Sequence, residues 1–439
     1  MRNILLLLIL SSLGTFAIAQ NTKSFSLNEA VQFATQNSLD VKNSQIGIAD
    51  AEQQIEENRA LGLPTVSATL GYNYYFKLPV SLVPAEFFGG QPGEFSELAF
   101  GTKNNFSAGV EARSLIFDWS YLTALKAARS YRDFAKQQRT QTEAMVRNQI
   151  RNAYLPPLIL EETKATLVKN IDNIKKLRFE TSEMYKAGFV EQLDIDRLDL
   201  TIANLETDLS NLDRQKELAY NVLKMAMNYP MDQDIETSDN LEQLLSEATV
   251  EDLEGQINYM NRAEYQTVML SKGLNELNVS YVKSTYYPNV TGFAQYTKNG
   301  QSDEFLKNNI WTDVGIVGLQ ANIPIYGGGA KNAKLQRAKL DLEKTNNQIA
   351  SLERVIWMEV GNARIAYQSA QERVASQEKN LGLAERIYET TQIKYREGIG
   401  SSLEITSAEQ SLFQSQQNLI QARYELLQAK MELDIALGK

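Results

Sequence analysis

Tyr395–Ile405 reads YREGIGSSLEI, and Tyr185–Ile195 reads YKAGFVEQLDI, the same pattern written 210 residues earlier. In each copy a glycine, Gly188 or Gly398, follows a long helix-compatible run, the place where a helix that turns back ends in a left-handed residue. Leu193-Asp194-Ile195 and Leu403-Glu404-Ile405 then fill matching slots. Shared spacing with shared residue types signals an internal duplication. The chain is expected to hold two long helical hairpins.

The arms of both hairpins are visible on either side of the turns. Asp118 to Lys186 is helix-like throughout, roughly 100 Å at ~1.5 Å per residue, and because Pro156-Pro157 should kink or break it, the rod is read as one axis with a bend near its middle. After Gly188 the chain returns through Ile195, Leu198, Ile202, Leu205, Leu209 and Leu212, a heptad seam that implies left-handed coiled packing. Gly328 to Glu397 forms the second rod, and its return carries Ile405, Ala408, Leu412, Ser415, Leu419 and Ala422 in the seam slots. The smaller residues there imply a closer or weaker contact.

Ahead of each rod the period changes from helical to alternating. Val66, Ala68, Leu70, Tyr72, Tyr74 and Phe76 alternate with Ser67, Thr69, Gly71 and Asn73, and a second strand runs Asn105–Phe117 with Glu111 and Arg113 on its polar side. Val290 to Tyr296 and Val317 to Ile325 repeat the pair in the second half. One apolar and one polar face suit a barrel wall between lipid and water, a soluble sandwich being the alternative. A long connection at 77–103, rich in Pro, Gly and aromatics, reads as a surface excursion. Before the strands, Leu27 to about Gly62 and Ile257 to Tyr287 read as helices.

The expected organisation is therefore an export signal at 1–19, a first repeat at 20–228, an acidic linker at 229–256 and a second repeat at 257–439. The signal rests on Arg2, the apolar Ile4–Leu10 and the Ala17-Ile18-Ala19 cleavage site. The linker holds nine Asp or Glu and no Lys or Arg, the composition of a solvated segment.

Composition removes whole classes of function. With no Cys and no His, disulfides, the usual transition-metal ligands and the commonest general base are all missing, so no enzyme, catalytic residue, metal or cofactor is expected. Net charge is −10 with scattered basic residues, which argues against nucleic acid as a partner. Tyr326-Gly327-Gly328-Gly329-Ala330-Lys331 lacks the spacing of a dinucleotide or phosphate loop. After the signal no run reaches the length of a membrane helix, so a membrane crossing must use strands. Four strands cannot close a barrel, eight would be too narrow for a pore, and three chains would supply twelve.

These features together resemble the outer membrane efflux protein family, the TolC-like channel-tunnels. The resemblance is carried by the duplicated Y-x-x-G turns with their Leu-acid-Ile triplets, the strand-to-helix corner at Pro324, Tyr326, Gly327, Gly328 and Gly329, and Asn261-Arg262-Ala263-Glu264, which is similar to the family's N-R-P-E element with Ala in place of Pro. It covers essentially the whole mature chain. It implies a mainly α protein with a membrane β-barrel part, a homotrimer with a 12-stranded barrel in outer-membrane lipid and a periplasmic α-helical tunnel. An inner-membrane pump and a periplasmic adaptor would be its partners, in multidrug efflux or type I secretion. A secreted coiled-coil scaffold or adhesin is the competing expectation.

Under the resemblance the two turns form the periplasmic entrance. Asp194 and Glu404 would ring it with carboxylates, favouring cations. The family often has a second acid three residues on, where this chain has Arg197 and Ser407, so a double ring is not expected and Arg197 is a candidate partner for Asp194. Tyr185 and Tyr395 would hydrogen-bond across hairpins in a closed state, plain packing being the alternative. Lys186, Gly188, Phe189, Val190, Arg396, Gly398, Ile399 and Gly400 would face the adaptor.

Overall fold

A computed structural model of the chain describes residues 23–246 and 255–439. The expected export signal lies outside them. In the first half, β1 (Lys23–Phe25), α1 (Leu27–Asn37) and α2 (Leu39–Ala60) lead to β2 (Thr65–Tyr74), the short pair β3 (Val80–Pro84) and β4 (Phe95–Ala99), then β5 (Asn104–Asp118), α3 (Trp119–Lys186) and α4 (Gln192–Met227). After β6 (Ile235–Thr237) and α5 (Leu241–Ser246), the second half continues with α6 (Ala263–Ser284), β7 (Asn289–Ser302), β8 (Ile310–Asn322), α7 (Ala330–Arg396) and α8 (Ser402–Leu437). The chain forms two compact units. The first contains the described residues up to Gly47, Lys136–Met269 and Gln348–Lys439, and the second contains Ile48–Ala135 and Leu270–Asn347.

The second unit carries a four-stranded antiparallel sheet in the order β2-β5-β7-β8, so the middle pair joins a strand from each half. Its register sorts most of the faces, although Leu70 and Ala108 share a row with Lys298 and Asp313, and Phe293 and Ile316 lie on the polar side. Val66, Ala112, Ala294 and Val317 lie in one cross-strand row, and Ala68, Val110, Tyr296 and Gly315 in the next on that face. Ser67, Glu111, Gln295 and Ile316 form a row on the opposite face, where Arg113 also pairs with Glu111. The apolar face is bare: Leu70 is 85% exposed and Val317 85%. Two aromatic groups bound it, Tyr72, Phe106 and Phe305 at one end and Phe117, Trp119 and Tyr287 at the other. Among the described residues, neither edge strand, β2 or β8, has a second neighbouring strand.

Several expectations change in detail. The first helix is two helices, because Ser38 takes an extended conformation (ψ 130°) and its hydroxyl accepts from the N–H of Val41, ending α1 and starting α2. Conversely, α3 passes through Pro156-Pro157 without a break. Tyr154, Leu155, Pro157 and Leu158 are buried there, and that packing offsets the backbone bonds the prolines cannot make. The connection at 77–103 contains the hairpin β3–β4, the second-half helix begins only at Ala263, and the last strand ends at Asn322 rather than Ile325.

The acidic segment, expected to be solvated, is structural over its described part. β6 pairs in parallel with β1, burying Ile235, and Leu241 packs with Leu155, Leu158 and Leu427. The carboxylate of Asp239 accepts from the Leu27 N–H at 2.7 Å and from the Tyr154 hydroxyl at 3.1 Å. Burial, then the neighbouring Asp239 charge, raise the pKa of Tyr154.

Candidate entrance site at the hairpin turns

Both turns lie in the first unit, and both end their helix the same way. Gly188 (φ 82°) donates to the Tyr185 carbonyl and Phe189 to that of Met184, while Gly398 (φ 76°) donates to Tyr395 and Ile399 to Lys394. This paired closure needs a left-handed residue, which explains the glycine in each copy. Gly400 has a different reason to be glycine. A Cβ there would sit 3.1 Å from the Tyr395 nitrogen, too close for the backbone to yield easily. Val190 occupies the corresponding position of the first turn.

The acids sit in the first turns of the return helices. Glu191 caps α4 and its N–H donates to the Asp194 carboxylate at 3.2 Å, closing a capping box. At α8 the Glu404 N–H donates to the Ser401 hydroxyl at 3.2 Å, and the Glu404 side chain is exposed. The positive helix end favours both charges. Arg197 and Ser407 are exposed, and no ion pair joins Arg197 to Asp194 among the described residues.

The two tyrosines part company. Tyr395 is 2% exposed, and its hydroxyl lies 2.9 Å from Oγ1 of Thr181 on α3, so it bridges the two hairpins. Burial raises its pKa, the Thr181 hydrogen bond opposes this, and the charges of Asp194 and Glu180 add to the rise. Tyr185 is 43% exposed. Beside Tyr395, Arg396 grips Glu180 of α3 with two nitrogens at 3.1 and 3.2 Å. Ile174, Leu177, Leu198 and Ile405 complete the core beneath the turns.

The turns themselves are apolar and bare. Phe189 is 78% and Ile399 77% exposed, with Leu193 and Leu403 beside them also exposed. Lys186 is paired with Glu183 at 2.7 Å. The sequence reading missed Thr181 and Glu180, since only the fold brings α3 against the end of α7, and it named Leu193 and Leu403 without giving them a role at the exposed turns. At the other candidate, the corner, Gly328 (φ 60°) and Gly329 (φ 84°) turn the chain into α7, while Pro324, Tyr326 and Gly327 precede them in an irregular stretch with Tyr326 89% exposed.

The chain is a mostly helical fold of long hairpins with a four-stranded antiparallel sheet whose exposed face is edged by aromatics. The family model described as outer membrane efflux protein matches residues 30–228 and 275–439, and the chain belongs to that family. It is a protein of the outer membrane that extends into the periplasm. The fold is that of solved channels. The outer membrane protein VceC of Vibrio cholerae is similar at 18% identity and TM-score 0.69, over 94% of this chain and 96% of that one. CusC is similar at 16% and 0.75, over 96% and 95%, and the open-state MtrE outer membrane channel of Neisseria gonorrhoeae at 17% and 0.70, over 94% and 88%. No curated protein sequence matches the chain.

Proposed function

We propose that three copies of the chain form one channel-tunnel that carries substrates from an inner-membrane pump and periplasmic adaptor to the exterior. The observation that carries this reading is the sheet: an apolar face in the open and two unpaired edges. In lipid an unpaired strand edge leaves backbone groups without partners, so the edges must meet those of other copies, β2 of one against β8 of the next. Three copies give twelve strands in cyclic symmetry. The polar face with Glu111, Arg113 and Gln295 would line the bore.

In this reading the hairpin turns form the periplasmic entrance, and the protein transports rather than catalyses. Asp194 and Glu404 from three chains place six carboxylates around it and favour cations. Tyr395 and Arg396 hold the resting hairpins together through Thr181 and Glu180. The bare Phe189 and Ile399 offer the adaptor an apolar contact. The cargo is set elsewhere, by the pump.

The test is the mass of the detergent-purified protein by light scattering, together with single-channel conductance in a planar bilayer. A species of three chains with steady cation-selective openings is expected. A trimer or monomer that never inserts, where a known porin does, would favour a soluble coiled-coil scaffold.

A further inference from the structure

Glu409 stands on α8 beyond the turn and has no part in the entrance described above. It is 3% exposed, and neither of its carboxylate oxygens has a hydrogen-bond partner. A carboxylate hidden from water without partners is costly, so the group either holds a proton or its surroundings open. Here α8 packs against α3 and α4, and Asn170, Ile174, Thr201, Asn204 and Phe413 join Glu409 around a cavity of about 140 Å³. None of these five is charged.

From α7 the group facing Glu409 is Tyr388. Its hydroxyl accepts from Nε2 of Gln392 at 3.2 Å and lowers the Glu409 pKa without completing a well-formed hydrogen bond to it. The charges acting on Tyr388 besides Glu409 are Arg396 and Glu180, which are paired with each other. The groove that Tyr388 also lines carries Lys176, Glu385 and Glu389. Among the described residues no cation forms an ion pair with Glu409.

We propose that Glu409 is a proton-operated latch between the two hairpins: as a neutral acid it lets α8 seat against α3 and α4, and loss of its proton drives that contact apart. Its bearing on transport rests on the channel reading above, while the latch itself does not. Burial pushes the Glu409 carboxyl up to about 7, with Tyr388 opposing the rise. A group raised from 4.5 to about 7 in the packed state makes that state bind more protons between those values. Packing is therefore fully favoured below pH 4.5, weakens as pH climbs toward 7 and stays weak above it. The packed-to-open ratio falls on the order of a hundredfold across that window.

The chain has no cysteine, so spin labels on Lys186→Cys and Glu397→Cys sit only at the two turns and report their separations, within and between copies, in the full-length protein in detergent. Measured by double electron–electron resonance from pH 4.5 to 8, the distances should lengthen or broaden as pH rises. Glu409→Gln should hold the low-pH distribution throughout. Tyr388→Phe, which removes the group that stabilises the anion, should move the midpoint upward and provides the test if Glu409→Gln folds poorly. Distances that ignore pH, or a pH response that survives in Glu409→Gln, overturn the latch. Conductance of the same samples separates the two readings. A conducting channel with pH-invariant distances removes the latch alone, and a pH-responsive protein that never conducts removes the channel reading alone.

Discussion

The Tyr395 hydroxyl lies 2.9 Å from Oγ1 of Thr181, and both residues are closed off from solvent, at 2% and 0% exposure. Their counterpart Tyr185, in the same slot of the other turn, is 43% exposed. Tyr395→Phe should therefore strand a buried threonine hydroxyl and cost about 1–2 kcal/mol, seen as a lower melting temperature in detergent and a higher open probability. Tyr185→Phe should be close to neutral. Equal effects for the two would remove the bridge as a stabilising contact.

The turn glycines separate two kinds of constraint. Gly398→Val asks a β-branched residue to hold φ near 76° and should cost roughly 1–2 kcal/mol. Gly400→Ala keeps an ordinary backbone but presses a methyl to 3.1 Å from the Tyr395 nitrogen, so it should disturb Tyr395 itself. A cysteine crosslink from the turn to the adaptor should weaken for Gly398→Val. Unaltered crosslinking would argue that the turn shape does not guide docking.

Charge at the entrance should be read by reversal potential in a salt gradient. Asp194 is tied to the Glu191 N–H, while Glu404 leaves its capping to Ser401. Glu404→Gln is therefore expected to reduce cation selectivity with little change in stability, and Asp194→Asn to reduce it while also loosening the start of α4 by about 0.5–1 kcal/mol. Selectivity unchanged in the double variant would sink the acidic-ring idea.

The two faces of β2 offer a paired test. Ala68→Arg places a cation on the apolar face, in a row with Val110 and Tyr296, and should cost ~2–4 kcal/mol if that row lies near mid-membrane, lowering the amount of protein that stays with outer membranes through a carbonate wash. Thr69→Arg, one residue away on the polar face, should be retained normally and alter conductance instead. Retention of both, or loss of both, would show that the faces are misassigned.

Asp239→Ala removes the acceptor for the Leu27 N–H, while the Tyr154 hydroxyl keeps its shorter bond to the Phe25 carbonyl at 2.7 Å. Leaving the Leu27 N–H without it should cost about 1–3 kcal/mol, measured as a shift in the denaturation midpoint.

Much of this was legible because it is set by local chemistry. Left-handed turns need glycine, a two-sided strand needs alternation, and both signals recur at Gly188 and Gly398, and at Val66 and Val290. Ser38 was missed because a serine can lie inside a helix as well as cap one. Pro156-Pro157 left the rod readable as one axis, and the burial of Tyr154 and Leu158 that offsets the loss of two N–H donors is what the sequence does not display. The acidic segment was misjudged for a related reason: its few apolar residues, Ile235 and Leu241, are the ones that pack. At the hairpin turns the two copies share their glycine geometry but not their surroundings, since matching turn residues meet different neighbours. Glu409 gives no sequence signal, because a glutamate on a helix is ordinary until its partners are absent.

The aromatic groups at the two ends of the sheet also act as a ruler. On β5 they fall at Phe106 and Phe117, eleven residues apart. A bulge between Leu115 and Phe117 absorbs one of these residues, so at ~3.4 Å per residue the span is about 34 Å of strand, against an apolar band of ~25 Å in an outer membrane. Both ends can reach the headgroups only if the strand leans by about 45°, and in a closed sheet lean and strand number together set the radius. For the twelve strands proposed above, this gives a cylinder about 26 Å across between backbones. In that arrangement the lipid thickness to which this sequence is matched would also size the bore.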